Sequence, residues 1–205
     1  MRDPRHRNEP CDRSGIGAYL LDYADRLRTA LVAVDADALD RARDLIETTA
    51  MSGGRVYSIG NGGSAAVADH LCCDFTKGTH ASGHPVIHSQ SMTANMALYS
   101  AVANDFGFEQ VFAHQIDLVG RPGDLLVAIS SSGNSANIVN AVEAARGRGM
   151  PSIGLSGFEG GRLRTSVDVA LHVPINNYGI VEDAHQALMH VLAQYIALGR
   201  DGAPA

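Results

Sequence analysis

His70 and Asp74 stand four residues apart in SIGNGGSAAVADHLCCDF, residues 58–75, just past a cluster of glycines. On a helix that spacing puts an imidazole and a carboxylate on one face. A second set lies towards the C-terminal end, where Glu182, Gln186 and His190 recur at four-residue steps and form one helical stripe. Asp183 and His185 fall on neighbouring lines, in structural or supporting places. Two such helices facing each other would gather His70, Asp74, Glu182 and His190 around one point. Two imidazoles and two carboxylates can exchange protons with a substrate or hold zinc or another divalent ion. On spacing alone the His70–Asp74 pair reads more readily as a helix-stabilising contact. Its place directly after a glycine-rich turn sets it apart.

Two turns share one chemistry. Gly60-Asn61-Gly62-Gly63-Ser64 opens the helix that carries His70, and Ser130-Ser131-Ser132-Gly133-Asn134-Ser135 opens another. Glycines let backbone N–H groups approach an anion, while hydroxyls and a helix N-terminus add donors. A phosphate monoester fits such a set. Each loop alone is also ordinary turn and capping chemistry. Two of them at the carboxyl ends of parallel strands, where open α/β sheets bind ligands, make the stronger case. Neither is a Walker loop, and no GxGxxG with a following acidic residue suggests a dinucleotide.

The elements that must position these residues are legible as alternating patterns. Short apolar runs at 54–60, 85–88, 124–130, 151–157 and 169–174 predict strands buried on both faces. Helical spacing fills 64–77, 91–103, 108–119, 135–148 and 180–198. Strands alternating with helices predict parallel βαβ units in a three-layer α/β sandwich. Two further helices precede the sheet over 15–50, divided at Asp35 by a cap. They lack an obvious strand partner, which suggests packing against another subunit. Residues 1–14 and 199–205 read as tails around a single domain, 15–198.

Composition narrows the class. The 205 residues are 45% hydrophobic and 19% charged, ordinary for a globular protein. A net charge of −6 and the absence of tryptophan argue against nucleic acid as partner. No apolar run approaches a membrane span, and the opening residues lack a signal core. Three cysteines, Cys11, Cys72 and Cys73, form no disulfide framework, which fits a cytoplasmic setting. Cys72 and Cys73 are expected as buried filler.

Taken in order, GNGGSAAVADH, ANDFGFEQVFAHQI, RPGDLLVAISSSGNSANIVNA, GFEGGRL and VEDAHQALMHVL resemble the motifs of the sugar isomerase (SIS) domain family, and within it the phosphoheptose isomerases. The resemblance runs from about residue 16 to 198. It implies a flavodoxin-like parallel five-stranded sheet and a homotetramer with active sites at subunit interfaces. It also implies interconversion of sedoheptulose 7-phosphate and D-glycero-D-manno-heptose 7-phosphate through an enediol(ate). By the same resemblance, Ser64, Ser130, Ser131, Ser132 and Ser135 hold the phosphate with Gly62 and Gly63. Asn61 and Asp105 touch the sugar. His70, Asp74, Glu182 and His190 would ligate one zinc per site. Asp74 or Glu182 would then be the base and His190 the opposing acid, with His70 orienting. Asp74 stands where the family has Glu, Glu182 where it has Gln, and Gly78 where it often has Arg. These exchanges admit another seven- or eight-carbon ketose phosphate as substrate. A sugar-phosphate sensor or a replication-initiator-associating protein is the alternative from outside enzymology.

Overall fold

The computed structural model describes residues 9–200. Strands β1 (Val56–Gly60), β2 (Ser89–Ser91), β3 (Leu125–Ser130), β4 (Ser152–Ser156) and β5 (Val169–His172) pair in parallel in the order β2-β1-β3-β4-β5. This is the flavodoxin-like order. The chain steps outward from β1 to β2 and returns to β3 on the other side of β1. The winding therefore reverses between β1 and β3, the place where such sheets leave a crevice.

Alternation within the strands explains their continuous apolar runs. Val56, Leu125, Val127 and Ile129 point into one core, while Tyr57, Ile59, Leu126 and Ala128 point into the other. Both faces are covered, so neither tolerates a polar stripe. The first core lies under α1 (Ile16–Val32), α2 (Ala36–Met51), α3 (Gly63–Cys73) and α8 (Tyr178–Arg200). The second lies under α5 (Ala113–Val119), α6 (Ala136–Gly147) and α7 (Gly161–Ser166), with α4 (Met96–Phe106) packed through Tyr99 and Ala103. At the far end of the sheet, buried Asp124 clasps β1 to β3, accepting from Arg55 N at 2.8 Å and Arg121 N at 2.9 Å.

Several expectations need adjusting. The strand expected at 85–88 starts instead at Ser89. Proline at 85 has no N–H for a ladder, and the preceding run serves as a lead-in with Ile87 buried. α7 carries no periodic signal because it is only six residues long. The first two helices do have partners within the subunit, since Ala30, Ala38, Ala42 and Ile46 join the first core. α1 nevertheless leaves Ile16, Leu20 and Leu21 exposed. Asp35 caps α2 by accepting from Asp37 N. Residues 9–12, expected in a loose tail, are fixed: Glu9 N donates to Asn176 O at 2.7 Å, Cys11 is buried, and Asp12 N donates to Asp22 Oδ2 at 3.0 Å. Residues 199 and 200, expected in the closing tail, instead finish α8, with Arg200 buried; residues 1–8 and 201–205 lie outside the described residues. No helix among the described residues is long and apolar enough to cross a membrane.

One buried group makes the fold sensitive to acid. His185 on α8 is fully buried, and neither ring nitrogen makes a well-formed hydrogen bond among the described residues. Burial pushes its pKa down to about 4, with the nearby Ser156 backbone only partly offsetting this and His172 adding to it. In the unfolded chain the ring titrates near its ordinary value of about 6.5. The unfolded state therefore binds the extra proton first, and stability falls as pH drops from about 6.5 towards 4. At about 1.4 kcal/mol per pH unit, the loss is about 3 kcal/mol. Urea unfolding at pH 7.5 and 4.5 should show that loss in the wild type and a smaller one in His185→Leu. Equal slopes in both proteins would remove His185 as the cause.

Candidate active site

A pocket of about 190 Å³ opens in the crevice between β1 and β3. The loop after β1 contributes Asn61 and Ser64, and the loop after β3 contributes Ser130, Ser131, Ser132 and Ser135. Both α3 and α6 begin here, so the positive ends of two helix dipoles face one cavity. Ser64, Ser130 and Ser131 are buried, and the Ser131 hydroxyl has no hydrogen-bond partner among the described residues. Ser135 sits at the N-cap of α6, yet its side chain makes no capping bond. A buried hydroxyl without a partner is costly, and an anion with several acceptor oxygens would satisfy it.

The two loops are locked together. Asn61 and Asn137 pair reciprocally, each Nδ2 donating to the other's Oδ1 at 2.9 Å. The serine loop also leans on the segment after β4. Gly157 N donates to Ser131 O at 2.8 Å, Leu163 N to Gly133 O at 2.9 Å, and Arg162 N to Asn134 Oδ1 at 3.1 Å. Gly133 adopts φ +64° directly against the Gly160 carbonyl, where any side chain would collide. That packing gives the GFEGGRL stretch its purpose.

A second cluster lies farther along α3, where α8 packs against it. Asp74 starts a π-helical turn (Asp74–Gly78) that ends α3, where a continuous α-helix was expected. Such turns recur at functional sites. Asp74 Oδ2 is 2.9 Å from His190 Nδ1, and Asp74 Oδ1 is 3.5 Å from His70 Nε2. The two imidazoles meet edge to face at 4.9 Å. Arg200, buried at the end of α8, donates to Thr79 O at 3.1 Å and Pro85 O at 3.0 Å. This ties α8 to the chain beyond α3 and holds the two helices in register.

The cluster suits a cation. His70, Asp74 and His190 each offer a ligand atom within 4.8 Å of the others. Tetrahedral ligands at about 2.0–2.1 Å from zinc are about 3.4 Å apart, close to the spacings above. Two imidazoles and one carboxylate are three ligands, the number that zinc sites with catalytic roles draw from protein.

With this geometry in view, the family model for the SIS domain matches residues 19–157. Phosphoheptose isomerase of Rhodospirillum rubrum is 39% identical over 157 residues, covering 77% of this chain and 83% of that protein. Its counterpart from Serratia proteamaculans is 40% identical over 161 residues, covering 78% and 82%. The solved phosphoheptose isomerase of Neisseria gonorrhoeae superposes with a TM-score of 0.81 at 32% identity, covering 88% of this chain and 96% of that one. This chain is a SIS-domain protein of the phosphoheptose isomerase family.

Within this SIS domain the sequence-predicted residues divide between the two clusters. Asn61 and the five serines line the pocket, while Gly62 and Gly63 start α3 without lining it. Glu182 lines the pocket too, with its carboxylate against Gly63, where a Cβ would strike it. It is therefore not part of the His70–Asp74–His190 set, with which it is expected to share a metal. Two helical turns of α8 separate it from His190, and α3 diverts it towards the loop. Burial raises the Glu182 carboxyl above the ordinary range, and Asp183 raises it further. Asp105 is exposed on α4, accepts from Asn104 Nδ2 at 2.8 Å, and does not line this pocket. Asp183 accepts the Tyr23 hydroxyl at 2.6 Å, joining α8 to α1. Cys72 packs beside the core near Ser58, as expected of filler, but Cys73 is exposed because α3 turns that face outward.

Two participants were not singled out from sequence. Asn137 is hidden inside the serine motif, although an Asn in the first turn of a helix after a phosphate-type loop is a usable signal. Gln186 lay on the stripe between Glu182 and His190 without a role. The structure places its Nε2 at 3.1 Å from His70 Nδ1 and 3.0 Å from His190 Nε2.

Proposed function

We propose that this SIS protein is an aldose–ketose isomerase that interconverts sedoheptulose 7-phosphate and D-glycero-D-manno-heptose 7-phosphate. The observation that carries this reading is a buried anion cradle at the start of α3 and an acid–base cluster farther along that helix, facing α8. Along α3, Ser64 and His70 are six residues apart, about 9 Å at 1.5 Å per residue. Six carbon–carbon bonds of about 1.5 Å in zigzag span about 7.5 Å. A seven-carbon chain with a terminal phosphate thus reaches from the serines to the cluster with C1 and C2.

The residues divide the work accordingly. Serine hydroxyls and the N-termini of α3 and α6 hold the phosphate and fix the chain's direction. Asp74 takes a proton from C1 of the ketose and delivers one to C2, giving the aldose. His190, bonded to Asp74, moves the hydroxyl proton between O1 and O2. His70 orients Asp74 from the other side. A zinc ion held by His70, Asp74 and His190 supplies, when bound, electrostatic stabilisation of the enediolate oxygens. Glu182 lies nearer the phosphate end than the cluster. It serves the sugar hydroxyls, and its raised pKa favours donation as well as acceptance. This choice of Asp74 over Glu182 as base rests on that position.

Retention of both imidazoles and of carboxylates at 74 and 182 favours an enzyme over a sensor. The assembly is read as a homotetramer, supported by exposed Ile16, Leu20 and Leu21 on α1 and Val191, Tyr195 and Leu198 on α8. Asp105 would then serve a site at a subunit interface. Free cysteines and a phosphorylated metabolite fit the cytoplasm.

The test is turnover of sedoheptulose 7-phosphate in deuterated water, followed by NMR. Aldose formation supports the reading, and deuterium at C2 supports the proton-transfer route. Binding of the sugar phosphate without aldose formation, in protein supplied with zinc, would sink it in favour of a sensor.

A further inference from the structure

His70 and His190 each turn one ring nitrogen towards Asp74 and the other towards Gln186. Gln186 Nε2 lies 3.1 Å from His70 Nδ1 and 3.0 Å from His190 Nε2, while His190 Nδ1 and His70 Nε2 lie 2.9 and 3.5 Å from the two Asp74 oxygens. The four side chains close a ring. A neutral imidazole has one N–H and one lone pair, a carboxylate only accepts, and a carboxamide can do either. In the ion-free ring both imidazoles direct their N–H to Asp74. Their lone pairs face Gln186, whose NH₂ donates one hydrogen to each. Every polar atom facing the ring's interior is then satisfied.

A cation between Asp74 and the rings requires the opposite arrangement. It takes the lone pairs of His70 Nε2 and His190 Nδ1, so each ring's single proton must sit on the nitrogen facing Gln186. An NH₂ group there would confront two N–H donors. A half-turn of the carboxamide replaces Nε2 with Oε1 in the same place, and that oxygen accepts from both rings. The proton count of each ring is unchanged, because only its position changes. Metal-bound imidazoles need such an acceptor on their other nitrogen to fix their orientation.

We propose that Gln186 is the positioning residue of this site, a reversible partner whose carboxamide turns over to match the histidine tautomers with and without the cation. The proposal rests on the cation reading above. It explains why an uncharged side chain able both to donate and to accept stands between two imidazoles. Glutamate at 186 would keep the acceptor and lose the donor, whereas leucine would lose both.

The experiment uses Zn²⁺ alone, with the purified full chain as wild type, Gln186→Leu and Gln186→Glu. Affinity is read by competition with a chromophoric chelator, and tautomers by ¹⁵N NMR of the histidine rings. In the wild type, zinc should move the His70 proton from Nε2 to Nδ1 and the His190 proton from Nδ1 to Nε2. Gln186→Leu should bind zinc about 10–100-fold more weakly. Gln186→Glu should bind within about threefold of wild type or more tightly, as an acceptor-only side chain predicts. A well-folded Gln186→Leu protein with unchanged zinc affinity would overturn the proposal. So would zinc bound by the wild type without the tautomer change, or Gln186→Glu as weak as Gln186→Leu. Zinc failing to bind the wild type at all would defeat the cation reading itself, and Gln186's role with it.

Discussion

Asp74→Asn should lower kcat for sugar-phosphate isomerisation about 10²–10⁴-fold, the usual worth of a positioned proton-transfer group, with far less change in KM. The carboxylate touches both imidazoles, and nothing else acidic lies in that cluster among the described residues. An amide keeps the shape and cannot accept a proton from carbon. Because the serine pocket lies about 9 Å away along α3, substrate should still bind, and calorimetry with sedoheptulose 7-phosphate separates binding from turnover. Glu182→Gln is the informative companion. Its carboxylate faces Gly63 and the pocket, so its loss should raise KM more than it lowers kcat. If Glu182→Gln loses turnover while Asp74→Asn retains it, the two roles are exchanged.

Ser131→Ala should raise KM about 10–100-fold, since a hydrogen bond to a charged group contributes about 1.5–3 kcal/mol. The same change should leave the ligand-free protein as stable as wild type, or more so by about 1 kcal/mol, because a buried hydroxyl without a partner is a cost in the empty site. A thermal melt without ligand and a titration with inorganic phosphate check both halves. Equal loss of stability and of binding would instead give Ser131 a packing role. Opposite signs are hard to reproduce by general damage to the loop.

The sequence made the architecture legible because its signals were local. Apolar runs such as DLLVAIS mark strands buried on both faces, and Asp35 marks a helix start by side-chain chemistry alone. The place of the serine loops was legible for the same reason, since each follows an apolar run and opens a helix. What escaped depended on geometry that spacing does not encode. Glu182 shares a stripe with His190, but the approach of α3 divides that stripe between two clusters. The π-helical turn at Asp74 breaks the helical period where the acid sits. Gln186 meets His70 only because α3 packs against α8. The ring of four side chains joins residues 70–74 to residues 186–190, and no local pattern predicts that contact.

The crevice between β1 and β3 also bears on the protein's lifetime. Arg55 and Asp124, whose contact joins these strands, are 69 residues apart in the chain. The cradle therefore comes into being only after a long loop has closed. No hairpin or helical fragment carries half of it in working form. A substrate held by this cradle would accordingly favour the finished fold over partly opened forms. At a hundredfold excess over its dissociation constant, such a ligand adds about 2.7 kcal/mol to the whole structure. Occupancy would then shield the chain from proteolysis, so metabolite supply would help set how much of this protein a cell retains.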